Sequence, residues 1–134
     1  MLTLSGDTEA AVRHYEASIE ADPGFAMAHN NLANLLAERG EIEASMQHYR
    51  RAIEIMPDYS LAHANLAQLL LHRDEIDEAI VHLREAARSE PWRADLQLTL
   101  ARALAKAGRP EEAHPHFVAA RRLAREASAA REAR

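Results

Sequence analysis

A chain of 134 residues, 48% apolar but only 4% aromatic, has material for one domain built of slim, closely packed elements. The lack of cysteine excludes a disulfide framework and thiolate metal sites, and no apolar run approaches the ~20 residues that span a bilayer. A net charge of −5 with Lys106 as the one lysine argues against nonspecific nucleic-acid binding, which rests on many neutralised phosphates.

The charge is unevenly spread. Residues 1–67 hold 4 basic and 10 acidic groups, whereas 68–134 hold 12 and 11. The arginines after residue 120 suit the C-terminal end of a helix, where cations meet the dipole favourably. Val, Ile and Thr are sparse, which speaks against strands and for an all-α chain. Met1 to Gly6 lacks the regions of a secretory signal, so a cytoplasmic address is expected.

Along the chain, Pro23, Pro57 and Pro91 stand at a constant spacing of 34 residues, the period of helical-hairpin arrays. The first element, residues 7–22, matches a second helix through Ala11, Tyr15 and Ser18, but Met1 to Gly6 cannot supply its first helix. This orphan should leave Val12, Tyr15 and Ile19 partly uncovered, to be masked by a neighbouring chain or by further repeats. Three hairpins follow, over 26–59, 60–93 and 94–127, the last with a C-terminal helical extension. That makes about seven antiparallel helices in a single domain, 1–134.

Within each hairpin the apolar residues keep helical spacing. Leu32, Leu66 and Leu100 are followed by Ala33, Ala67 and Ala101, and four residues on by Leu36, Leu70 and Leu104. Leucines at i and i+4 share a face, and the alanine between lets another helix approach. In the second helices Ser45, Ala79 and Ala113 mark a close contact, with Tyr49, Leu83 and Phe117 as the bulky residues one turn later. Gly40 and Gly108 fit left-handed C-terminal caps, with Asp74 in their place in the middle unit. Pro110 suits a helix start. Pro115 lies deeper and should kink that helix or delay its start.

The chain resembles the tetratricopeptide repeat family over about residues 7–123. His29, His63 and Gln97 stand where that family usually has Trp or another large residue. The stretch AHNNLANLLAERGEIEASMQHYRRAIEIMPDY is similar to the repeats of O-linked N-acetylglucosamine transferases. The resemblance implies an α-solenoid, a right-handed superhelix whose first helices line a concave peptide-binding groove. Helical phase then places Met27, Asn30, Asn31, Asn34 and Glu38 on the groove, followed by Leu61, Asn65, Gln68, Leu71 and His72. The third unit adds Asp95, Leu98, Thr99, Arg102 and Lys106.

Side-chain amides both donate and accept, so Asn31 and Asn65, at equivalent positions, suit an extended peptide backbone of any sequence. The same asparagines equally suit inter-repeat hydrogen bonds. The family's carboxylate clamp for acidic chaperone tails fits poorly, because Asn30, Asp95 and Thr99 occupy its basic positions.

No catalytic motif stands out, and the carboxylates at hairpin turns, such as Glu41, Glu43, Asp77 and Glu78, suit helix starts. His14, His48, His82 and His116 share the 34-residue period, which reads as duplication on an outer face rather than a metal site. Trp92 reads as an inter-unit packing residue. The expectation is therefore a protein-interaction module without enzymatic activity, cofactor or metal. Its partner would be a protein or peptide, with neither nucleic acid nor membrane involved. Alternatives are a self-assembling piece joined through terminal helices, or the substrate-recruiting arm of a larger transferase.

Overall fold

The computed structural model describes residues 4–133 of the chain. Seven α-helices follow one another among them: α1 (Leu4–Ala21), α2 (Ala26–Glu38), α3 (Ile42–Ile55), α4 (Ser60–His72), α5 (Ile76–Ser89), α6 (Ala94–Lys106) and α7 (Pro110–Glu132). Residues 1–3 of the segment expected to be non-helical lie outside the described residues, while Leu4 to Gly6 form the first turn of α1. No helix is long and apolar enough to cross a membrane among the described residues.

Two kinds of turn alternate. The three-residue connections after α2, α4 and α6 each have a left-handed residue at their centre, φ +80° at Gly40, +61° at Asp74 and +77° at Gly108. In each, two backbone bonds run back into the helix, for example Gly40 N to Ala37 O at 3.0 Å and Glu41 N to Leu36 O at 2.8 Å. The pattern recurs from Asp74 and Glu75 to Leu71 and Leu70, and from Gly108 and Arg109 to Ala105 and Leu104. This doubly bonded cap satisfies carbonyls that the helix end would otherwise orphan. The turns before α2, α4 and α6 place Pro23, Pro57 and Pro91 second in a β-turn, closed by Phe25 N to Asp22 O, Tyr59 N to Met56 O and Arg93 N to Glu90 O at 3.0–3.1 Å. Proline suits that position because its φ is already set.

The small residues sit where helices come closest. Ala33, Ala52, Ala67, Ala79, Ala86 and Ala101 are wholly buried, as are Leu66, Leu70, Leu83 and Leu104. Burying each of these leucines contributes about 1.5–3 kcal/mol. Ser45 is equally buried and donates its hydroxyl to Ala33 O at 2.6 Å, fastening α3 to α2. Consecutive units are also bridged at the surface: Arg50 to Glu78 at 2.9 Å and, 34 residues on, Arg84 to Glu112 at 2.7 Å. Such exposed pairs contribute at most ~1 kcal/mol each.

Three expectations change. Val12 is buried, packed in one cluster with Leu32 and Leu36 of α2; Tyr15 and Ile19 remain half-buried around the same cluster. Trp92 is 65% exposed. It occupies the third position of its β-turn, equivalent to Gly24 and Asp58, where a side chain points to solvent instead of into the next unit. The last helix starts at Pro110 and runs through Pro115 without a late start.

Candidate functional site

The first helices of the three units stand side by side, and their shared face carries four rows of side chains in register. The rows are Met27, Leu61 and Asp95; Asn31, Asn65 and Thr99; Asn34, Gln68 and Arg102; and Glu38, His72 and Lys106. Each row lies three or four residues from the next, so all four fall on one helical face. Between α4 and α6 this face deepens into a cavity of about 330 Å³ lined by Gln68, Leu71, Thr99, Arg102 and Lys106.

The amides at its centre are oriented by their neighbours. Tyr49, buried at the heart of its hairpin, donates its hydroxyl to Asn34 Oδ1. Burial pushes that phenol up to about 12, so it remains a protonated donor. Asn65 Nδ2 donates to the same Asn34 oxygen at 3.2 Å, and more weakly to Asn30 Oδ1 at 3.4 Å. Two donors converging on Asn34 Oδ1 leave its NH2 group as the free end, and spending the Asn65 NH2 leaves its carbonyl oxygen free. One half-buried amide thus offers donors and its neighbour an acceptor. Thr99 instead turns its hydroxyl onto Asp95 O of its own helix at 2.8 Å.

Two residues expected on the groove lie elsewhere. Asn30 is fully buried, and its Nδ2 has no hydrogen-bond partner. Leu98, at the equivalent position 68 residues on, lines a different cavity of about 440 Å³ between α6 and α7, with Phe117, Ala120 and Ala124. This register position sits at the edge of the helical face, so Asn30 turns into the packing while the half-buried Leu98 faces the cleft beside α7. The remaining expected residues, from Met27, Leu61 and Arg102, which are exposed, to Asn31, Leu71 and Thr99, which are half-buried, are accessible.

Of the periodic histidines His14 is exposed as expected, but His48, His82 and His116 are half-buried and not on an outer face. His29 and His48 face each other inside the first hairpin, Nδ1 to Nδ1 at 3.1 Å, and His63 and His82 repeat this at 2.9 Å in the second. The tautomers follow from the other ring nitrogens. His29 Nε2 meets Pro23 O at 3.1 Å and His63 Nε2 meets Pro57 O at 2.8 Å. A carbonyl only accepts, so each Nε2 carries the proton and each Nδ1 accepts from His48 or His82. In the third hairpin Gln97 Oε1 takes the acceptor role, receiving His116 Nδ1–H at 2.8 Å. Burial lowers the affinity of His48, His82 and His116 for a proton; the facing ring adds to this at the first two, and Arg84 at the third. A repeated separation of 19 residues was the sequence signal for this pairing. Among the described residues no three His, Asp or Glu side chains gather to hold a metal ion.

The Tetratricopeptide repeat family matches residues 5–60, and in a second version residues 37–84 and 70–134. No curated protein matches the chain by sequence. Among solved structures, a MamA double mutant (RS-1 ArsTM) superposes with a TM-score of 0.78 at 16% identity, covering 90% of this chain and 68% of that one. A second MamA (MSR-1 C2) gives 0.73 at 21% identity, covering 92% and 71%. YrrB, described as a TPR protein with an unusual peptide-binding site, gives 0.74 at 26% identity, with 81% of this chain covering 56% of that one.

Proposed function

The chain belongs to the tetratricopeptide repeat family, and on that premise we propose that it is a protein-interaction module whose groove takes an extended segment of a partner protein. One observation carries the reading: the adjacent amides of Asn34 and Asn65 are held so that one presents donors and the next an acceptor. An extended backbone offers the complement of both, whatever its side chains. Likeness to YrrB supports a peptide site on this fold. The module acts by binding, and the residues of the groove have no role in a reaction.

An array of nonamer peptides probed with labelled protein tests this. Asn31→Ala combined with Asn65→Ala removes the acceptor of that pair and the amide at the equivalent position, and binding is expected to weaken about tenfold, at roughly 1 kcal/mol per hydrogen bond lost. Undiminished binding by a variant that melts like the wild type removes amide pairing from the mechanism.

A second reading, self-assembly through the terminal helices, rests on the apolar cleft of Leu98, Phe117, Ala120 and Ala124 between α6 and α7. Light scattering across concentration decides it: a strict monomer at high concentration rules it out.

A further inference from the structure

The four rows of the groove change character from α2 to α6. The first runs Met27, Leu61, Asp95: two apolar side chains, 53% and 45% exposed, then a carboxylate already paired with Arg93 at 2.7 Å. The last runs Glu38, His72, Lys106, from an acid through imidazole to a base. In the third row, Asn34 and Gln68 give way to Arg102, which is exposed and makes no ion pair among the described residues. Lys106, one turn further on, pairs among the described residues with Asp74 alone, at 3.4 Å on an exposed rim. Glu38 has no ion pair among the described residues either. The open charges of the groove are therefore negative at α2 and positive at α6, on either side of a neutral strip of amides.

We propose that the groove selects extended peptides carrying an acidic side chain, seated on Arg102, a few residues away from an apolar side chain held by Met27 and Leu61. The proposal rests on the reading of this face as a peptide site. The separation follows from helix geometry. Seven residues of rise between the first and third rows span about 10 Å, and neighbouring helices stand about 8–10 Å apart. Leu61 and Arg102 are thus about 14 Å apart on the diagonal, which an extended chain covers in roughly four residues. Amide pairing in the intervening row holds the backbone, so the group that reaches Arg102 is a side chain and not a chain terminus. The guanidinium takes a carboxylate in two parallel hydrogen bonds, and the cavity of Gln68, Leu71 and Thr99 walls the pair on one side. A basic side chain at that place would meet Arg102 and Lys106 without compensation.

The test uses acetylated, amidated nonamers, which carry no terminal charge. Among binders to the wild-type protein, Asp or Glu should be enriched about four residues from Leu, Ile, Val or Met. Exchanging that Glu for Gln in the best peptide should weaken binding five- to tenfold at low salt, with the difference shrinking as sodium chloride is raised. In Arg102→Gln, a change at an exposed position, the preference for Glu over Gln should vanish while the apolar preference stays. Equal binding of Glu and Gln peptides to the wild type, or an unchanged preference in Arg102→Gln, overturns the acidic selectivity and leaves the peptide site standing. Absence of any binding nonamer overturns both.

Discussion

Acid should loosen this fold through its buried histidines, and the two facing pairs add a contribution that the single His116 of the third hairpin lacks. Each histidine pair holds one shared proton between its Nδ1 atoms, and His29 or His63 spends its remaining N–H on a proline carbonyl. One added proton can sit on Nε2 of His48 or His82 without breaking the contact, but burial and the facing ring both disfavour it. A second would set N–H against N–H. The groups facing the pairs are Glu16, from α1, at the first, and Glu78 with Arg50 at the second. The carboxylates partly offset the depression; Arg50 adds to it.

Because the folded protein takes up fewer protons than the unfolded chain, stability is fully present above the ordinary imidazole value of about 6.5 and falls as pH drops below it. Were one proton wholly withheld per pair, the loss between pH 6.5 and 5.5 would be about 2 kcal/mol, from ~1.4 kcal/mol per proton per pH unit at full protonation of the unfolded chain, and this is its upper bound. Against a total of about 5–15 kcal/mol this is easily measured. Urea unfolding across that range is the assay, on wild type and on His29→Gln plus His63→Gln. Glutamine is the residue the third hairpin already uses, so the hydrogen bond survives and one titrating ring per pair is lost. The double variant should match the wild type within about 1 kcal/mol at pH 7.5 and exceed it at pH 5.5. Parallel stability curves for the two proteins would refute the reasoning.

Further expectations concern single side chains. Asn30→Leu removes a buried amide whose nitrogen has no partner, at the cost of one 3.4 Å hydrogen bond, and should leave stability unchanged or raise it by up to ~1 kcal/mol in thermal melts. Asp74→Gly relieves a left-handed residue at φ +61° and should stabilise by roughly 0.5 kcal/mol, a rise of a few degrees in Tm. Leu66→Ala or Leu83→Ala empties a fully buried site and should cost about 2–5 kcal/mol in urea unfolding. Trp92→Ser, at a 65% exposed turn position, should shift stability by no more than ~0.5 kcal/mol.

The helices were legible because their signals are local. Proline at a fixed period, glycine at left-handed caps and leucine beside alanine each act within a few residues, and each stands where the spacing placed it. The site was legible only as far as helical phase reaches. Phase selects a broad stripe, so residues at its centre, such as Asn34 and Gln68, are accessible while at its edge Asn30 turns into the packing and Leu98 faces the cleft beside α7. The histidine pairs escaped because their geometry depends on how α3 is rotated against α2, which no single helix encodes. Trp92 misled because a large aromatic after a proline suggests a buried staple, whereas its place in the turn faces outward.

The bridge from Asn65 to Asn34 ties α2 to α4 across the groove, and among the described residues no hydrogen bond joins α4 to α6 in the same way. Thr99, at the matching position, is engaged with its own helix. The floor of the groove is therefore riveted on one side and merely abutted on the other. Bending should concentrate at the second seam, where the 330 Å³ cavity lies beside Arg102. A guest would be met by a fixed jaw at α2 and α4 and a yielding one at α6, so that fit and grip are assigned to different halves of one surface.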